Sequence, residues 1–146
     1  MEFKKILIAV KDSANAMQAA KAGFSLAHSL GALICLIYVV DKSKEVVSAD
    51  LGITPEQSAT VLLGEAEKTI EQLIQMYNSV DRVVHFTPEG SPAKEILNVA
   101  KEWEADLIVM GAHERSWLNS LLSGSITEYI IKHAGIPVMI TPGCKK

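Results

Sequence analysis

The chain has 146 residues, of which 49% are apolar, 21% charged and 5% aromatic, and its net charge is −3. This size predicts one domain spanning residues 1–146, and the interspersed charges lack the basic footprint of a nucleic-acid-binding protein. The histidines and cysteines show no metal-binding spacing. The first apolar run is too short for a signal peptide or a membrane span, so we expect a soluble, cytoplasmic protein with free thiols and no membrane contact.

Short apolar runs alternate with helical patterns along the whole chain. Strands are predicted at KILIAV, ALICLIYVVD, DRVVHFTPEG, DLIVMG and IPVMITP. Helix starts are indicated by Asp12 or Ser13, by Thr54 followed by Pro55 and Gln57, by SP at 91–92, and by Ser123 or Ser125. The order βαβαβαβαβ predicts an α/β fold, a doubly wound parallel sheet with helices on both faces. Ligands bind such sheets beyond the carboxyl ends of the strands.

The segment LLSGSITEY carries the clearest chemical signal at that edge of the sheet. Gly124 and Ser125 open a helix, whose unpaired N–H groups and positive dipole end favour an anion. Gly111, directly after the fourth apolar run, would let backbone approach a ligand. Ordinary helix capping, with Gly111 only turning the chain, explains the same residues. We find no nucleophile–base pair, so no catalytic residue is predicted.

The order of elements and this loop together resemble the universal stress protein family, from KKILIAVKDS to AGIPVMITP. ATP-binding members show Gly, two residues, Gly, nine residues, then Gly followed by Ser or Thr. Gly111, Gly124 and Ser125 match this motif in place and spacing. The closing KHAGIPVMI is similar to the way the family enters its last strand through a proline.

The resemblance implies a five-stranded sheet of order 3-2-1-4-5 and a site for ATP, ADP or AMP, with Mg²⁺ only beside a triphosphate. The positions that correspond to the family's site lie at the ends of the first, second and fourth strands and at the start of the last helix: Ala9, Lys11, Val39, Met110, Gly111, Gly124, Ser125 and Ile126. Val39 matches the backbone contact to adenine. The resemblance also implies a homodimer joined through the last strand, Val138, Met139, Ile140 and Thr141.

Two residues depart from the family pattern. Glu114 replaces the middle glycine of the motif, and Lys11 replaces the acidic residue that ends the first strand. A carboxylate at 114 would repel a triphosphate by about 1–4 kcal/mol, which favours AMP or ADP. Because strands one and four are neighbours in the implied order, Lys11 and Glu114 are predicted to form an ion pair across the cleft. The alternative is two solvated charges on the edge loops.

The sequence thus predicts a non-enzymatic, dimeric stress-response module that binds an adenine nucleotide at a degenerate motif. Two alternatives remain open. One is a dimeric scaffold whose cleft is occluded, and the other is a nucleotide-dependent transferase or slow ATPase on the same scaffold.

Overall fold

A computed structural model gives the fold and describes residues 2–41, 52, 54–77, 83–112 and 126–142. Within these residues five strands and four helices alternate, as predicted. The strands are β1 (Lys5–Ala9), β2 (Leu33–Ile37), β3 (Val83–Phe86), β4 (Leu107–Gly111) and β5 (Val138–Thr141). The helices are α1 (Ala14–Leu30), α2 (Pro55–Met76), α3 (Pro92–Trp103) and α4 (Ile126–His133).

All four strand pairs of the sheet are parallel, and the order β3-β2-β1-β4-β5 confirms the predicted topology. The central strand β1 pairs through Ile8 with Leu36 on one side and Val109 on the other. Ile6, Leu7 and Ile8 are completely buried, as expected for a strand covered on both faces. The chain leaves β1 for β2 on one side and reaches β4 on the other, so the topological switch point lies between β1 and β4.

Each face of the sheet has its own apolar layer. Helices α1 and α2 cover one face, where Phe24 and Ile70 pack with Ile8 and Leu36. Helices α3 and α4 cover the other face, where Ile96 and Ile130 pack with the alternate strand residues. Because side chains alternate along a strand, the residues that follow the strand ends also divide between the two faces.

The helix ends follow the local sequence closely, with one exception. Ser13 caps α1, whose other end is Gly31 in the left-handed conformation (φ 65°). Thr54 and Gln57 form the predicted capping box of α2. Ser91 begins α3 without a side-chain capping bond, so its role there is limited to preceding Pro92.

β3 and β5 are the edge strands of the sheet, as the order 3-2-1-4-5 implied. Val84 and Phe86 of β3 are each 45% exposed, and the first three residues of β5 are half-buried. Among the described residues, none of the helices is both long enough and apolar enough to span a membrane.

Candidate functional site

A cavity of about 470 Å³ lies at the carboxyl edge of the sheet, over the ends of β1, β2 and β4. Its floor is formed by side chains of the α3–α4 face, including Ala9, Ile37 and Met110. The first turns of α1, α3 and α4 form its rim, through Ser13, Pro92 and Ile126. The cavity therefore adjoins the switch point between β1 and β4, where ligands of doubly wound sheets bind.

The cavity gathers six of the nine residues that the sequence assigned to the site. These are Ala9, Lys11, Val39, Met110, Gly111 and Ile126. The remaining three, Glu114, Gly124 and Ser125, lie outside the described residues, and the predicted Lys11–Glu114 ion pair does too. Gly111 and Ile126, which flank the predicted loop, line the same cavity.

The β1–β2 ladder ends beside Val39. The N–H of Val10 donates to the carbonyl of Ile37 (2.9 Å), but the next bond, from the N–H of Val39 to the carbonyl of Val10, is not formed. Tyr38 and Val40 donate to β3 and the residues after it, at 3.0 and 2.8 Å. The N–H and carbonyl of Val39 therefore point away from β3 and have no hydrogen-bond partner within the described part of the chain.

The neighbouring turn between β1 and α1 lies near the Tyr38 hydroxyl, which belongs to the far face of the sheet. Tyr38 is 8% exposed, and burial raises the pKa of its hydroxyl. A hydrogen bond with the backbone of Asp12 acts in the opposite direction, while the carboxylates of Glu65 and Asp12 raise the pKa further. The Tyr38 hydroxyl therefore lies close to the turn that lines the cavity.

Gly111 packs directly against the first turn of α1. An added Cβ atom would lie 2.8 Å from the carbonyl carbon of Asn15 and closer still to its oxygen. The sequence interpretation explained this glycine by the approach of a ligand. The structure explains it instead by the close contact between α1 and β4, which leaves no room for a side chain at position 111. Gly111 alone is therefore no evidence for a ligand.

The cavity combines apolar walls with charge at one corner. Ile37, Val39 and Met110 are nearly fully buried. Lys11 and Asp12, both exposed, are the ionisable side chains of its described lining. The helix starts add the positive ends of their dipoles. Such a site suits a ligand with a flat apolar ring and an anionic group.

The sequence reasoning missed four polar or rim residues of the cavity: Asp12 and Ser13 as lining residues, Asn15, and Pro92. Asn15 left a usable signal, because it lies four residues before Ala19, on the helix face that the alanine pattern assigns to the core. Its side chain is 7% exposed and donates to the carbonyl of Ala112 at 2.8 Å.

The family model that matches this chain is that of the universal stress protein family, and the match extends over residues 2–142. The chain belongs to the universal stress protein family. A relative, universal stress protein MJ0531 of Methanocaldococcus jannaschii, is 34% identical over 149 residues, covering 99% of this chain and 85% of its own.

Two solved universal stress protein structures share the fold and contain nucleotides. One, in complex with cAMP, superposes with a TM-score of 0.75 at 16% identity, covering 97% of this chain and 98% of its own. The other, from Archaeoglobus fulgidus in complex with dAMP, has a TM-score of 0.65 at 19% identity and covers 96% and 98%. At identities this low, the similarity shows that this universal stress protein shares their fold, and it shows nothing about its ligand.

Proposed function

We propose that this universal stress protein is a non-enzymatic, cytoplasmic regulatory module that binds an adenine nucleotide in the cavity at the switch point. The observation that carries the proposal is the main chain of Val39 at the apolar end of that cavity, which has no hydrogen-bond partner among the described residues. Burying a main-chain N–H and carbonyl without hydrogen-bond partners costs free energy of folding. A ligand that forms hydrogen bonds with both groups removes this cost.

Adenine has the complementary groups for this main-chain pair. Its ring nitrogen N1 accepts from an N–H, and its 6-amino group donates to a carbonyl. Ile37, Ile96 and Met110 supply apolar surface for the flat ring. Guanine carries a ring N–H and a carbonyl at the corresponding positions and would meet the Val39 groups donor to donor and acceptor to acceptor.

The phosphate end of the nucleotide would face the start of α4. Ile126 lines the cavity, and Gly124 and Ser125 immediately precede it in the sequence. Main-chain N–H groups at a helix start, together with the Ser125 hydroxyl, are suitable donors to a phosphate. Lys11 is a cation on the same cavity.

Glu114 limits how many phosphates the site tolerates. A carboxylate close to a triphosphate costs about 1–4 kcal/mol, and a monophosphate places less charge near it. We therefore propose AMP or ADP as the preferred ligand, with Mg²⁺ required only if ATP is bound. The related structures with dAMP and cAMP, both monophosphates, support this preference.

Isothermal titration calorimetry with AMP, ADP, ATP and GMP tests the proposal. We expect AMP to bind more tightly than ATP by about tenfold, which corresponds to about 1.4 kcal/mol, and GMP to give no measurable heat. Acid extraction of the purified protein should release an adenine chromophore if the site is filled in the cell. The absence of binding by all three adenine nucleotides would leave the occluded scaffold as the function, and turnover of ATP would favour the enzyme alternative.

We also propose that the module is a homodimer joined through β5. Val138, Met139 and Ile140 are half-buried on an edge strand whose outer side has no neighbouring strand in the described part of the chain. Antiparallel pairing of two copies would cover both edges and satisfy their main-chain groups.

A further inference from the structure

We propose that Asn15 is a positioning residue that fixes the end of β4 at the rim of the cavity. Its consequence for ligand binding depends on the proposed nucleotide function, but its effect on the position of β4 does not. The segment 113–125, which holds Glu114, Gly124 and Ser125, starts directly after Ala112. Where Ala112 is held therefore decides where that segment begins.

Both main-chain groups of Ala112 are hydrogen-bonded to different elements. Its carbonyl accepts from the Nδ2 of Asn15 in α1 at 2.8 Å, and its N–H donates to the carbonyl of Thr141 in β5 at 2.9 Å. One bond comes from a helix and the other from the neighbouring strand. Together they hold Ala112 between α1 and β5, one residue beyond the end of β4.

The asparagine is itself held in place. Asn15 lies in the first turn of α1, where the Ser13 hydroxyl accepts from the N–H of Ala16 (3.2 Å). The main chain of Asn15 packs on Gly111, where no Cβ can be accommodated. Because the start of α1 and the end of β4 are in direct contact, the short side chain of Asn15 is long enough to reach the carbonyl of Ala112.

The contact has a chemical requirement that asparagine meets at neutral pH and an aspartate does not. The carbonyl of Ala112 needs a donor, which an amide provides and an ionised carboxylate lacks. A protonated carboxyl group regains a donor. A carboxylate in the first turn is also favourable for the helix dipole, so Asn15→Asp removes the bond without weakening the start of α1.

The experiment compares Asn15→Asp with Asn98→Asp, the same substitution at an exposed position of α3. Amide hydrogen exchange at Ala112, corrected for intrinsic rates, is measured between about pH 8 and pH 3, a range that includes the ordinary aspartate pKa of about 3.9, and AMP affinity is measured at about pH 8. Both variants and the wild type keep Lys11 and Asp12, the ionisable residues of the described cavity lining. Any pH effect of these two residues therefore appears in all three proteins and does not distinguish them.

At the upper pH we expect Asn15→Asp to exchange Ala112 about tenfold faster than the wild type and to bind AMP about tenfold more weakly. The difference in exchange should shrink towards the lower pH, as the introduced carboxyl is protonated. Asn98→Asp should follow the wild type throughout. Equal exchange in the two variants, or a difference that is independent of pH, would overturn the positioning role.

Two further outcomes are separable. If the wild type binds no AMP, the proposed function fails, and exchange at Ala112 alone decides the role of Asn15. If Asn15→Asp does not fold, Asn15→Ala replaces it. In that variant faster exchange must be confined to Ala112 and its neighbours, and a uniform increase along β4 would contradict the inference.

Discussion

Replacing Gly111 by alanine tests the contact between α1 and β4 most directly. The added Cβ atom would lie 2.8 Å from the Asn15 carbonyl carbon and closer still to its oxygen, whereas an ordinary contact begins at 3.4 Å, so the helix start must retreat by more than about 0.6 Å. Overpacking of this kind costs about 1–3 kcal/mol, and the obstacle here is main chain, which cannot rotate away.

The same displacement also strains the hydrogen bond from Asn15 to Ala112, which contributes about 1 kcal/mol. The reduced entropy of the unfolded alanine chain offsets about 0.4–1 kcal/mol. We therefore expect Gly111→Ala to lose about 2–3 kcal/mol of stability, which lowers the urea midpoint by about 1 M or more.

Urea unfolding followed by circular dichroism measures this loss, and Gly64→Ala is the matched control. Gly64 lies within α2, where an added Cβ would meet no atom within 4 Å, so alanine there should stabilise the protein by about 0.5–1 kcal/mol. If Gly111→Ala proves as stable as the wild type, the packing explanation of this glycine is wrong.

Three further predictions concern the cleft, the edge strand and the buried thiol. The double variant Lys11→Asp, Glu114→Gly should bind ATP about tenfold or more tightly in calorimetry, and unchanged affinity would reject the proposed ion pair. Met139→Lys should yield monomers in light scattering, whereas Val61→Lys, at a position 60% exposed on α2, should not; a dimeric Met139 variant would move the interface elsewhere. Burial raises the pKa of Cys35 to about 12, so at about pH 8 only about one molecule in ten thousand carries the thiolate. Alkylation of Cys35, followed by mass spectrometry, should therefore require unfolding, and rapid modification of the folded protein would show that the thiol is accessible.

The fold could be predicted from the sequence because its signals are local. Strand runs, the Ser13 and Thr54 caps and the stop at Gly31 each depend on residues within one turn of each other. Burial within α2 does not follow apolar character alone: Val61 is exposed, since it lies one residue, about 100°, before the partly buried Leu62.

The site was harder to predict because its contacts join distant parts of the chain. Asn15 and Ala112 are 97 residues apart, and nothing local to either indicates the bond between them. The role of Gly111 depends on the same encounter between α1 and β4. The strand order that brings them together came from family resemblance, because periodicity alone defines elements and not their neighbours.

The unpaired groups of Val39 have a practical consequence for mutagenesis. They belong to the peptide chain itself, so a scan that truncates side chains leaves both of them intact. Val39→Ala would remove only some methyl contact, and a small effect there would say little about hydrogen bonding to the purine. Testing that bond requires backbone chemistry, such as an ester in place of the amide, or a ligand analogue lacking the 6-amino group.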